Sequence, residues 1–189
     1  MAHNGSNIET EIKLRVCDAA AARALLEKHG YRLIRPRVFE SNTLYDTPDY
    51  ALRQRGELLR VRRAGDGGIV TFKAPEPPGR HKRRLELETQ VGDAAVIETI
   101  LERVGLAVSF RYQKYRAEYQ RGSEEGVVTI DETPIGEFLE LEGSPEWIDA
   151  TARELGFSES GYILSSYGAL YLEHCRRNKI EPGDMVFPG

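Results

Sequence analysis

The chain has 189 residues, 40% hydrophobic and 30% charged, with 26 Lys and Arg against 30 Asp and Glu and a net charge of −4. Its length suits a single domain, 1–189, with a real core. The composition excludes wholesale disorder, no apolar run approaches the ~20 residues of a bilayer span, and the acidic total gives no electrostatic case for a nucleic-acid partner.

Taken in chain order, the first strand is Asn7–Val16, NIETEIKLRV, which alternates apolar and charged residues. Asp18 then opens a helix that Gly30 closes. Arg37–Tyr45 reads as a second strand, and Leu58–Ala64 with Gly68–Lys73 as a hairpin turning at AGDGG. The Pro/Gly segment Lys73–His81 is expected to be a mobile loop at a rim. Lys82–Val91 is a strand, Asp93 opens a helix closed by Gly105, and Val108–Gln120, Gly126–Asp131 and Gly136–Glu142 complete eight strands. Ser144-Pro145 opens a helix closed by Gly156, Ser165–Asn178 is a fourth helix, and EPGDMVFPG is an irregular tail. The likeness of LEKHGYRL to LERVGLAV hints at a duplicated ββα-like organisation.

The start, MAHNGSN, lacks the basic and apolar segments of a signal peptide. Cys17 and Cys175 form neither a metal spacing nor a disulfide framework. A cytoplasmic protein is therefore expected. His3, His29, His81 and His174 show no ligand spacing and are expected at the surface.

The strand faces carry the chemical signal. Glu9, Glu11 and Lys13 share one face of their strand, as do Arg60 and Arg62, Lys82, Arg84, Glu86 and Glu88, Lys114 and Arg116, and Glu140 and Glu142. One such face is the ordinary wet side of a half-buried sheet. The whole set concentrates Arg and Glu and segregates them by sign, and like charges two apart on one face repel unless opposite charge lies between them. A closed barrel would turn these faces inward, where charge must be paired or must hold a charged ligand. Clustered carboxylates suit Mg²⁺ or Mn²⁺, and paired Arg and Lys suit phosphate oxygens. From the residues alone, a metal–polyphosphate site in a charged barrel and an outward charged sheet both remain open.

The ordered motifs ETEIK (Glu9, Glu11, Lys13), LYDTP (Leu44–Pro48), LRVR (Leu59–Arg62), TFK (Thr71–Lys73), RRLELE (Arg83–Glu88), KYR (Lys114–Arg116), TIDETPIGEFLELEG (Thr129–Gly143) and SSYGALY (Ser165–Tyr171) span nearly the whole chain. This set resembles the CYTH superfamily, the triphosphate tunnel metalloenzymes, which include class IV adenylate cyclases, thiamine triphosphatases and inorganic triphosphatases. The resemblance implies an α+β fold: an eight-stranded antiparallel β-barrel, or tunnel, with helices packed outside. It implies Mg²⁺ or Mn²⁺ on Glu9, Glu11, Asp131, Glu140 and Glu142, and a triphosphate clamp of Lys13, Arg60, Arg62, Lys114 and Arg116. It further implies Tyr45 and Lys73 assisting the attacking water, with Arg84, Glu86 and Glu88 lining the tunnel. Arg15 and Glu118 are expected at solvent, and the last helix is expected to pack on the barrel, where it could close one mouth.

The activity so implied is hydrolysis of an inorganic or organic triphosphate by a monomer or homodimer, with a small-molecule triphosphate as its partner and neither nucleic acid nor membrane. The presence of both Tyr45 and Lys73 favours hydrolysis over the alternative, a class IV adenylate cyclase. A non-catalytic polyphosphate- or nucleotide-binding module is the third option.

Overall fold

The computed structural model describes residues 8–65 and 67–188, so Asn7, His3 and the Asp66 of the AGDGG turn lie outside the described residues. The elements run β1 (Ile8–Val16), α1 (Ala19–Lys28), β2 (Arg32–Asp46), α2 (Ala51–Gln54), β3 (Leu58–Ala64), β4 (Gly67–Pro75) and β5 (Lys82–Val91). They continue α3 (Ala94–Arg103), β6 (Ala107–Gln120), β7 (Val127–Thr133), β8 (Gly136–Glu142), α4 (Pro145–Glu154), a 3-10 turn (Glu159–Gly161) and α5 (Tyr167–Asn178). All eight strands close into one barrel in the order β1-β5-β4-β3-β2-β6-β7-β8, with every neighbour antiparallel. Closure leaves the sheet no free side along the shared lengths, and it gives the pleat an inside and an outside.

The helices start where their caps direct. Asp18 accepts from the Ala21 amide at 2.7 Å, Asp93 from Ala95 at 2.8 Å, Ser144 from Trp147 at 3.2 Å and Ser166 from Ala169 at 3.2 Å. Gly30 and Gly105 end α1 and α3 at φ of 83° and 97°, a backbone region that glycine enters without steric cost.

The outward apolar positions of one half of the barrel build the main core. Ile12 and Leu14 of β1, Val128 and Ile130 of β7, and Leu139 and Leu141 of β8 pack with Leu26 of α1 and Ile148 of α4. Each is 3% exposed or less, and burying such a side chain is worth about 1.5–3 kcal/mol. A second cluster stops one end of the barrel: Tyr112 and Phe138 point inward there and meet Tyr167 and Leu170 of α5 and Met185 of the tail.

Four local features differ from the sequence reading. β2 begins at Arg32 rather than Arg37 because its first half pairs with the end of β6, Arg32 opposite Gln120. The register shifts between Leu33 and Arg35 and again between Arg35 and Val38, across Pro36, which lacks the N–H a regular ladder needs. The short α2 is pinned by Asp46, whose carboxylate accepts from the amides of Thr47, Leu52 and Arg53 at 2.7, 2.9 and 3.0 Å. The tail is ordered by backbone: Met185 bonds Arg111 and Gln113 on the part of β6 that β7 leaves free. The loop before β5 is anchored rather than loose at its end, since Arg80 and His81 both reach Asp149 of α4, at 2.6 and 2.7 Å. His81 is thus 6% exposed, not a surface histidine.

Candidate active site

Pleating decides which charges meet. β1 sends Glu9, Glu11 and Lys13 inward. Glu11 stands opposite Lys82 of β5 and Glu142 of β8, and Lys13 opposite Glu140. Glu40 of β2 faces Lys114 of β6, Arg60 of β3 faces Thr71 of β4, and Lys73 faces Glu86 of β5. All of these but Glu40 and Thr71 line a cavity of ≈ 490 Å³ bordered by nine Lys or Arg and seven Glu.

The deepest zone is a closed network of paired charge. Asp131, fully buried, accepts from Lys114 at 2.8 Å, from two Arg116 nitrogens at 2.7 and 2.6 Å, and from the Tyr167 hydroxyl at 2.7 Å. Glu140 takes Lys13 at 3.1 Å together with Arg116. Glu40 lies 3.4 Å from Arg62 and 3.6 Å from Lys114. Burial alone would raise its carboxyl, but Lys114, Arg116 and Arg62 overcome this and hold it at about 2.

The opposite wall is acidic and less settled. Lys73 bonds Glu9 and sits 3.1 Å from Glu86; Lys82 bonds Glu11, with Lys13 at 3.2 Å from the same carboxylate. Burial and the neighbouring Glu11 nevertheless push the Glu9 carboxyl up. Glu142, at the rim and open to water, is pushed up to about 7 by burial of its surroundings and by Glu9. Here negative charge exceeds its partners.

Between these zones two guanidinium groups are oriented mainly by neutral side chains. Arg60 donates to the Tyr112 hydroxyl at 3.2 Å and to Thr71 at 3.0 Å, with Glu88 and Glu86 only at 3.7 and 3.9 Å. Its Nε has no hydrogen-bond partner among the described residues. Arg62 donates to Asn42 at 3.0 Å and lies 3.4 Å from Glu40. Neutral partners fix the direction of Arg60 without cancelling its charge, which leaves that fork available to an anion.

At one mouth the tunnel opens into a second cavity of ≈ 460 Å³, and the two share Leu44, Leu58, Arg84, Phe110, Ser166 and Gly168.

Comparison with known proteins places this architecture. Residues 7–167 match the model of the CYTH domain. The chain belongs to the CYTH domain family. A Methanocaldococcus jannaschii protein named "Putative adenylate cyclase MJ0240" is 30% identical over 138 residues, 72% of this chain and 77% of that protein. A Vibrio parahaemolyticus structure that carries the same description superposes with a TM-score of 0.77 at 23% identity, over 88% of this chain and 98% of that one. The Hippeastrum protein HpAC1, named for an adenylyl cyclase and described as revealing a dominant triphosphatase activity, superposes with a TM-score of 0.60 at 17% identity, over 93% and 97% of the chains. These likenesses at low identity establish the fold.

Within this CYTH domain the structure brings together Glu9, Glu11, Glu140, Glu142, Lys13, Arg60, Arg62, Lys114, Arg116, Lys73, Arg84, Glu86 and Glu88, all of which line the tunnel. Two expected residues stand apart. Asp131 is saturated by four donors and does not border the cavity, so its place is behind the clamp, ordering Lys114 and Arg116. Tyr45 follows the inward Leu44 and by strand alternation turns away from the tunnel, to the border of the second cavity. Burial and the acids Glu98 and Glu102, the latter two on α3, push its phenol up to about 12. Glu118 lines the tunnel and accepts from Arg35 at 2.9 Å, rather than facing solvent alone.

Sequence reasoning passed over Glu40, Lys82, Tyr112 and Tyr167 as site residues. Lys82 already lay on the right face by alternation; Tyr167 lay in SSYGALY; Glu40 and Tyr112 follow only once the β2–β6 register is known.

The donor chemistry fits a hard divalent cation. Glu9, Glu11 and Glu142 offer only oxygen, in a patch where burial and mutual repulsion push the Glu9 and Glu142 carboxyls up and a bound cation would favour their charged forms. Among the described residues no three such groups converge into a ready-made cage, because Lys73 and Lys82 now hold Glu9 and Glu11.

Proposed function

We propose that this CYTH domain hydrolyses a triphosphate threaded through the barrel, with a divalent cation, Mg²⁺ or Mn²⁺, at Glu9, Glu11 and Glu142. The observation that carries the reading is the opposition of two walls: the Arg60 guanidinium, held by Tyr112 and Thr71 with carboxylates only at 3.7 and 3.9 Å, faces Glu9 and Glu142, whose charged forms burial and mutual repulsion disfavour. A metal-chelated polyphosphate presents both complementary charges at once.

Arg60, Arg62 and Arg116 bind and orient the phosphate oxygens, with Lys13 and Lys114 supplying point charge. The cation, when bound, supplies a Lewis acid to those oxygens. Lys73, between Glu9 and Glu86, holds the attacking water at the acidic wall. Water oxygen bonds to the terminal phosphorus, the bridging P–O bond breaks, and orthophosphate leaves the shortened phosphate chain. Tyr45 takes no part.

A second reading, cyclisation of ATP by attack of the ribose 3′ oxygen on the α-phosphorus with release of pyrophosphate, draws support from the 30% identity to the M. jannaschii protein named for that activity. Phosphorus NMR of products from tripolyphosphate, thiamine triphosphate and ATP with Mg²⁺ or Mn²⁺ decides between them. Orthophosphate is the expected product; pyrophosphate with cyclic AMP would establish the cyclase, and tight binding without turnover would reduce the tunnel to a binding module.

A further inference from the structure

The outside of the barrel is covered unequally on two matching sides. The short α2 aside, β1-α1-β2-β3-β4 recurs as β5-α3-β6-β7-β8, and α1 lies on β7 and β8 as α3 lies on β3 and β4. On the first side a second helix completes the cover. α4 lies on β8 and β1 beside α1, tied to its end by His29 to Glu154 at 3.3 Å and by Tyr31 to Thr151 at 3.3 Å. The strand face beneath, Ile12, Leu14, Leu139 and Leu141, is fully buried. The matching strands β4 and β5 carry no such helix among the described residues. There Phe72 stands opposite Leu87 on the outer face, and Leu87 keeps 47% of its surface exposed. α3 borders this notch with Val96, Ile100 and Val104, exposed by 52, 49 and 70%. Aligned at LEKHG and LERVG, Val104 stands where α1 has His29, which meets α4, and Ile100 where α1 has Leu25, which packs on the core.

We infer that a second copy of this chain covers this face, its α3 lying antiparallel to α3 across a two-fold axis at Ile100, each helix seated in the notch beside the other's Phe72 and Leu87. The stripe is self-complementary. Val, Ile and Val at a spacing of four read the same in reverse, so in an antiparallel pair Ile100 meets its own copy and each Val96 meets the other's Val104, as a two-fold interface requires. Charge agrees with this direction. Asp93 caps the start of α3, and Arg103 in its last turn has no ion pair among the described residues. Antiparallel seating brings each Arg103 within about one helical turn of the other copy's Asp93 and sets the two helix dipoles in opposition, whereas parallel seating would set like charge beside like. The outward side of α1 offers no such stripe, since it exposes Arg23, Glu27 and Lys28. An apolar helix face next to an apolar strand pair, both left to water, marks an interaction surface.

Sedimentation and light scattering of the full chain between about 1 and 100 µM test this. A dimer is expected. Ile100→Glu and Leu87→Lys, both at exposed positions, are each expected to weaken its association at least about tenfold while keeping the wild-type circular dichroism. Cysteine cross-linking reads the orientation, in a Cys17→Ser background because Cys17 is an exposed thiol. Ile100→Cys is expected to give a disulfide-linked dimer, since the axis brings its Cβ to within the ~3.5–4.5 Å of its copy that a disulfide needs. Val104→Cys is expected to stay unlinked, its copy lying ~12 Å away along the helix pair. A monomer over the whole range, or a dimer that both charged variants leave intact, would overturn the second copy as occupant and give the face to a different partner. Linking at 104 as readily as at 100 would overturn the antiparallel seating.

Discussion

Tyr45 and Leu44 are adjacent in sequence and lie on opposite sides of the barrel wall, and that separation changes what each substitution should do. Tyr45→Phe is expected to leave kcat and KM within about twofold in steady-state assays, since the phenol faces α3. Arg62→Ala is expected to raise KM about tenfold or more while changing kcat less, because its fork binds the phosphate throughout the reaction. Glu142 makes a pH-dependent prediction. Its carboxyl titrates near 7 in the folded chain against 4.5 for the free group. The folded state therefore retains a proton that the unfolded state loses, and stability falls as pH rises between those values. Without divalent cation, Glu142→Gln should raise Tm at pH 8 by less than ~4 °C, solvent at the rim damping the effect, and should leave Tm at pH 5 unchanged. Thermal denaturation at the two pH values reads this directly. What the sequence disclosed at this scale was the face of each strand, since alternation put Glu9, Arg60, Lys114 and Glu140 together. It could not disclose that the Leu44 face of β2, rather than the Tyr45 face, looks inward, nor the saturation of Asp131, because both depend on which strand lies alongside.

The strands and helices repeat more closely than the short match LEKHGYRL/LERVGLAV indicated. Apart from the short α2 between β2 and β3, β1-α1-β2-β3-β4 and β5-α3-β6-β7-β8 follow the same order, and exchanging the two sets returns the same ring of neighbours. The unit is thus βαβββ rather than ββα. Charge does not follow this symmetry: Lys73 of β4 corresponds in topology to a strand carrying Glu140 and Glu142, and Glu40 of β2 to one carrying Lys114. Corresponding strands of the duplicated frame thus carry different charges, and each half contributes both signs to the tunnel. The caps that begin the matching helices were legible because capping is a local property. Asp93→Ala should cost about 1 kcal/mol in chemical denaturation, with no change in KM. The short α2 was not legible, since its anchor, Asp46, caps residues that carry no helical pattern of their own.

At the scale of the whole molecule the net charge of −4 conceals a tunnel bordered by more bases than acids, so an anionic substrate is attracted only once at the mouth. The tail contributes to that chamber's closed end. Met185 is fully buried against Tyr112 and Tyr167, and Met185→Ala should lower stability by about 2–5 kcal/mol. A tail that was merely irregular would lose nothing measurable in the same denaturation experiment. Its composition, EPGDMVFPG, carries no period, so only the vacant stretch of β6 explains its order.

Ring closure also governs how the chain reaches this state. β1 is flanked by β5 and by β8, so the first strand made must wait for the last, and β2 likewise waits for β6. Neither half can complete a barrel by itself. During synthesis the inward charges of β1 stay hydrated and its edges stay open until Glu142 has emerged, and closure then desolvates them together. Such distant pairings favour slow folding, and a nascent chain stalled before β8 would offer unpaired edges to its neighbours. The same interlocking that builds a chamber for a highly charged ligand makes its assembly wait for β8.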